Sequence, residues 1–200
     1  MTVIGLTGPT GAGKGEVSNI LKTNFGAMII DADEVYHSLL VPPSECLDEI
    51  CEEFGGSVLL GDGTLDRQAL ADIVFSSKDK LEKLNTITHK YVLTQIILML
   101  KKSDYTECPF TVIDAPLLIE AGVDKICKYT VSVLADKDTR TKRIQERDKI
   151  NLRDAEKRIS AQKDDSFYIS NSDFIIYNNS DTTDLARQIG KVFETIGGDR

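Results

Sequence analysis

The segment Gly8-Pro9-Thr10-Gly11-Ala12-Gly13-Lys14-Gly15 constrains this chain more than any other stretch. The apolar run before it, residues 3–7, reads as a buried strand, and residues 13 to about 24 carry a helical pattern. A glycine-rich turn at such a junction has a specific physical use. With no β-carbons in the way, successive backbone N–H groups can point into one concavity at the positive end of the helix dipole. The spacing G-x-x-x-x-G-K then puts Lys14 where its amine reaches the outer phosphates of a nucleotide. Gly8, Gly11, Ala12, Gly13, Lys14, Gly15 and Glu16 are the ATP-binding candidates of this loop, and Lys14 is also a catalytic candidate.

The Ser or Thr that usually follows the lysine and meets Mg²⁺ is Gly15 here, with Glu16 after it. A glycine offers no side-chain oxygen, so Mg²⁺ accompanying ATP would rely on phosphate oxygens, water and carboxylates from elsewhere. Adenylate kinases also carry glycine directly after this lysine, so the change is compatible with phosphoryl transfer.

Further apolar runs at 27–31, 110–114, 129–135 and 173–177 are short and bounded by Gly, Asp or Pro, as strands are. Helical patterns at 32 to about 40, 138–148, 152–163 and 183–196 alternate with them. This alternation predicts an α/β fold, a five-stranded parallel sheet layered between helices. Residues 41–108 interrupt the pattern with helical stretches at 66–75 and 78–101 and no convincing strand. Structureless connections of that length are rare, so the insertion reads as a helical lobe of its own.

A net charge of −8 argues against a nucleic-acid coat, which leans on a basic face. No apolar run approaches the ~20 residues that span a bilayer, and residues 1–7 lead into the glycine loop without a basic segment or cleavage site, so a cytoplasmic protein is expected. Cys46, Cys51, Cys108 and Cys127 form no C-x-x-C pair, which predicts reduced thiols.

Several acids and bases have two readings each. Asp31, in Asp31-Ala32-Asp33-Glu34, either caps the following helix or meets a magnesium-bound water. Asp114 ends an apolar strand, a common place for a magnesium-linked acid, or else is a turn residue before Pro116. Arg140, Arg143 and Arg147 fall on one helix face, where they either surround phosphoryl oxygens or form a solvated ion-pair face with Glu146 and Asp148.

From about residue 3 to 178 the chain resembles the dephospho-CoA kinase family. The resemblance is carried by the glycine loop, Ile30-Asp31-Ala32-Asp33, Phe54-Gly55-Gly56, Asp62-Gly63-Thr64-Leu65-Asp66-Arg67, Leu84-Asn85-Thr86-Ile87-Thr88-His89, Asp114-Ala115-Pro116-Leu117-Leu118-Ile119-Glu120, and Arg143, Arg147 and Gln162. Lys90 stands where the family usually has proline. The resemblance implies a single three-layer α/β/α P-loop domain with its core at 1–41 and 109–200, a substrate lobe at about 42–108 and a helical lid at about 143–165. It implies transfer of the γ-phosphate of ATP to the 3′-hydroxyl of dephospho-CoA, the last step of coenzyme A synthesis. Asp33 is then the base, Arg143 a catalytic and ATP-binding lid residue, and Arg147 and Asn178 further ATP contacts; the alternatives are a solvent-facing first-turn acid for Asp33 and a simple turn role for Asn178. Arg67, His89 and Asp114 are substrate-binding candidates, with simple surface, structural or turn roles as their alternatives. Two competing functions are another small-molecule P-loop kinase, such as a nucleoside-monophosphate kinase, and a nucleotide binder with weakened catalysis. A GTPase switch is disfavoured, because the chain lacks an N-K-x-D segment and Asp114-Ala115-Pro116-Leu117 fails D-x-x-G.

Overall fold

The computed structural model describes residues 1–102 and 107–198. Five parallel strands form one sheet: β1 (Thr2–Thr7), β2 (Met28–Asp31), β3 (Phe110–Asp114), β4 (Tyr129–Leu134) and β5 (Phe174–Tyr177). Their order is β2-β3-β1-β4-β5. Ile4 pairs with Val112 on one side of β1, and Thr7 with Ser132 on the other. β1, β3 and β4 are buried almost throughout. That explains their near-continuous apolar runs, since a sheet covered on both faces has no solvent side to alternate with.

The chain divides into two compact units, Met1–Ile30 with Ser103–Arg200, and Asp31–Lys102. The first holds the sheet with α1 (Lys14–Phe25), α6 (Lys137–Asp148), α7 (Leu152–Ser160), α8 (Asp165–Ser170) and α9 (Thr182–Gly198). Its core joins Ile4, Leu6, Val112, Val131 and Ile176 of the sheet to Val17 and Leu21 of α1 and to Leu185, Ile189 and Phe193 of α9. α1 stops at Gly26, whose φ of 62° ends the helix in a left-handed turn.

The second unit is helical: α2 (Ala32–Ser38), α3 (Glu45–Phe54), α4 (Arg67–Val74) and α5 (Lys78–Leu100), with a short 3₁₀ turn at Gly56–Val58. Cys46 and Ile50 of α3, Leu70 and Val74 of α4 and Ile87 of α5 form its core, with Leu40 after α2. Lys90 and Tyr91 of α5 both bond Glu49 of α3, at 2.6 and 2.7 Å. Among the described residues, no helix is long and apolar enough to cross a membrane.

The structure differs from the sequence reading at three places. The expected core boundary after residue 41 lies beyond α2, whereas the packing divides the chain at Ile30/Asp31, because Tyr36, Leu39 and Leu40 join the helical core. The helix expected over 152–163 ends at Ser160, and a new one, capped by the Asp164 side chain on Phe167 N, begins at Asp165. Helix α3 is not anticipated by the sequence reading; Ser44 caps it by accepting from Leu47 N.

Candidate active site

All parallel strands of such a sheet present their carboxyl ends on one side, where α/β folds bind ligands. The glycine loop leaves β1 there. Gly8 has φ 143° and lies so close to β4 that a β-carbon would stand 2.2 Å from the Val133 carbonyl oxygen. Gly13, at φ 94°, is the left-handed N-cap of α1, and no side chain caps that helix start. The first amides of α1 therefore keep the arrangement that suits an anion.

The three arginines of α6 all reach this loop, at graded depth. Arg140, only 5% exposed, donates from Nε to the Thr10 carbonyl at 3.0 Å and from Nη2 to Gln162 Oε1 at 3.4 Å. Burial pushes its guanidinium pKa down, and Asp165, 3.6 Å away, offsets this. Arg143 donates to the carbonyls of Gly11 and Ala12 at 3.4 and 3.3 Å and to Asn178 Oδ1 at 3.3 Å. Arg147 is exposed; it chelates Asp148, which raises its pKa, and touches the Thr10 hydroxyl at 3.4 Å. Arg147 thus keeps the surface pair with Asp148 that the ion-pair reading expects.

Asn178 is 2% exposed. Its amide donates to the Ala12 carbonyl at 3.1 Å and to Glu16 at 3.4 Å, so it braces the loop from the end of β5. Glu16 also accepts from Thr182 at 3.3 Å. Gly15 has open space around it, with nothing within 4 Å of an added β-carbon.

Lys14 and Asp114 meet inside this crevice, Nζ to Oδ1 at 3.9 Å, both side chains mostly buried. Asp114 arrives there because β3 pairs in parallel with β1, Asp114 opposite Leu6. The segment beyond it is held by Ala115 N on the Leu6 carbonyl at 3.0 Å and by the Thr7 hydroxyl on the Pro116 carbonyl at 3.2 Å. Ser18, one helical turn past Lys14, donates to Asp114 Oδ2 at 2.7 Å. Sequence reasoning missed Ser18, although its i+4 spacing from Lys14 was a usable signal. It also missed the bond from the Thr10 amide to Gln162 Oε1 at 2.8 Å.

The remaining candidates belong to the helical unit. Asp31 caps α2, its Oδ1 accepting from Asp33 N at 2.8 Å and Glu34 N at 3.1 Å, so the capping reading is the one seen. Asp33 is exposed in the first turn of α2. Arg67 opens α4 and lines a cavity of about 180 Å³ with Tyr36, Leu65, Leu70 and Leu84. Burial raises the Tyr36 pKa, and Arg67 partly opposes this. His89 is half-buried on α5, beside buried Thr88, and does not line that cavity.

A parallel sheet of this order, with a lysine-bearing glycine loop gripped by arginines, defines a small-molecule kinase of the P-loop class. The solved Acinetobacter baumannii shikimate kinase in complex with shikimate has this fold, with a TM-score of 0.56 over 100% of this chain and 95% of its own at 15% identity. Similarity extends beyond the class. The family model for dephospho-CoA kinase matches residues 2–184, and the chain belongs to that family. It is 39% identical to the dephospho-CoA kinase of Fusobacterium nucleatum over 97% of this chain and 98% of that one. The solved dephospho-CoA kinase of Campylobacter jejuni superposes with a TM-score of 0.70 at 26% identity, covering 98% of each chain.

Proposed function

We propose that this chain transfers the γ-phosphate of ATP to the 3′-hydroxyl of dephospho-CoA, giving coenzyme A and ADP. The observation that carries the reading is the crevice in which Lys14 faces Asp114 beneath a loop braced by Arg140 and Arg143. Phosphoryl transfer passes through a loose transition state, so positioning and charge do most of the catalytic work.

In this reading the loop amides and Lys14 cradle the phosphates. Arg143 and Arg147, in a lid spanning residues 143–165, turn toward the transferring group as water is excluded. Asn178 lies at the ATP side. Arg67 and His89 hold dephospho-CoA in the helical unit, which serves as the substrate lobe of a single kinase domain. Asp33 orients the ribose hydroxyl and takes its proton. The hydroxyl oxygen forms the new bond to phosphorus, the bridging bond to ADP breaks, and the proton then passes from Asp33 to water.

ATP would come with Mg²⁺. Among the described residues there is no group of three or more His, Cys, Asp or Glu that could hold a metal. A cation that takes most ligands from phosphate and water needs only one or two carboxylates, and Asp114 fits that need. Asp31, the other candidate, has its Oδ1 committed to the helix cap. When bound, Mg²⁺ would neutralise charge on the phosphate oxygens. The four cysteines are free thiols, which supports a cytoplasmic setting.

The test is an ADP-release assay offering dephospho-CoA, AMP, CMP and shikimate in parallel. Turnover with dephospho-CoA should exceed the others by about 100-fold or more. Equal or greater turnover with AMP, or none with dephospho-CoA, would refute the reading.

A further inference from the structure

We infer that Ser18 is a positioning residue for this reaction: from inside α1 it fixes the Asp114 carboxylate and so supplies the orientation that a hydroxyl at position 15 would otherwise provide. The inference rests on reading the Lys14–Asp114 crevice as the phosphate site. Two observations meet in it. Position 15, directly after Lys14, has no side-chain oxygen, and nothing lies within 4 Å of a β-carbon added there, so packing does not forbid a serine. Meanwhile Ser18, 8% exposed, points its hydroxyl at the acid facing Lys14 and donates to it at 2.7 Å.

The geometry gives the bond a purpose beyond packing. Ser18 and Lys14 stand one turn apart on α1, and they engage different oxygens of one carboxylate, Ser18 on Oδ2 and Lys14 on Oδ1 at 3.9 Å. The Lys14 contact is too long for a direct hydrogen bond, so an arriving triphosphate can draw the amine away at little cost. The Ser18 bond is short and its donor is rigidly held in a buried helix face. When Lys14 turns to phosphate, the Ser18 bond still holds the carboxylate plane against rotation. A hydrogen bond to a charged group contributes about 1.5–3 kcal/mol, enough to select one rotamer.

The experiment measures ATP affinity by calorimetry, with Mg²⁺ and with EDTA, for wild type, Ser18→Ala, Ser18→Thr and the Gly15→Ser/Ser18→Ala double variant. Urea unfolding establishes that each variant is folded. Ser18→Ala should lower the Mg²⁺-dependent gain in affinity about tenfold and change the EDTA value by less than about twofold. Ser18→Thr keeps the hydroxyl and Gly15→Ser restores one, so both should recover most of the gain. The inference is overturned by an unchanged Mg²⁺ gain in Ser18→Ala, by an equal loss in EDTA, or by a double variant no better than Ser18→Ala. No acceptor is present in these titrations, so their outcome does not depend on whether the chain phosphorylates dephospho-CoA.

Discussion

Replacing Gly8 with alanine tests how tightly the phosphate loop is pressed onto the sheet. The added β-carbon would lie 2.2 Å from the Val133 carbonyl oxygen, and 3.1 and 3.2 Å from the carbonyl carbon and amide nitrogen of the same residue. These are backbone atoms of β4, which pairs with β1 on one side and β5 on the other, so they cannot swing aside as a side chain would. At φ 143° the backbone strain alone costs about 1–3 kcal/mol, and forcing an extra methyl into a filled site adds about 1–3 kcal/mol. The sum is roughly 2–6 kcal/mol against the ~5–15 that holds a domain folded. For a chain of this size that lowers the melting temperature by roughly 4–24 °C. Two other glycines separate the causes. Gly26 has φ 62° and open space, so Gly26→Ala should cost only the left-handed strain of about 1–2 kcal/mol. Gly15 has neither a positive φ nor a neighbour, so Gly15→Ala should be neutral or gain up to ~1 kcal/mol in helix propensity. Urea unfolding followed by circular dichroism ranks the three. If Gly8→Ala falls no lower than Gly26→Ala, the close approach to β4 contributes nothing and the steric reasoning is refuted.

Arg140→Met should destabilise the fold by about 1–3 kcal/mol by removing a charge-assisted bond to the partly buried Thr10 carbonyl, and weaken ATP binding. Arg140→Lys should not rescue it, since one amine cannot replace the planar fork; unfolding and ATP titration check both. Asp33→Asn should cut turnover about 100-fold or more while ATP affinity stays within about twofold, and parallel kinetics and calorimetry would expose a loss shared by both. Burial pushes the Cys127 thiol from its ordinary 9.0 up to about 12. The unfolded chain therefore releases that proton first as pH rises, so this contribution is complete below pH ~9 and declines toward pH ~12, by at most about 1.4 kcal/mol per pH unit. Cys127→Ala should flatten that part of the alkaline loss, read as urea midpoints at pH ~8 and ~10.5; an unchanged slope would place the sensitivity elsewhere.

Much of the core was legible because its signals are local. β3 was read to the residue, Phe110–Asp114, since a β-branched run ends at an acid and a proline. The arginine face of α6 followed from helical spacing, and all three members do reach the loop. The capping of α2 by Asp31 was one of two readings, and its D-x-x-E pattern was a real signal. What stayed hidden depends on partners far apart in sequence. Ser18 finds Asp114 across 96 residues, and Thr10 finds Gln162 across 152; helical spacing could put Ser18 on the face of Lys14, but no periodicity names the distant partner. The unit boundary was misplaced for a related reason. α2 follows β2 directly in the chain, yet Tyr36, Leu39 and Leu40 pack with Ile50 and Leu70, and adjacency in sequence gave no warning of that.

Thr10 carries a consequence of its own. Its amide, carbonyl and hydroxyl are each engaged by a different side chain, Gln162, Arg140 and Arg147 respectively. These three come from the stretch beyond α7, the first turn of α6 and its last turn. A single loop residue thus acts as a junction where displacement anywhere along that stretch is felt as strain at the mouth of the anion cradle. Chemical-shift changes at the Thr10 amide would register the release of Gln162 before any phosphate had moved, which makes this position a built-in gauge of how the two segments move together.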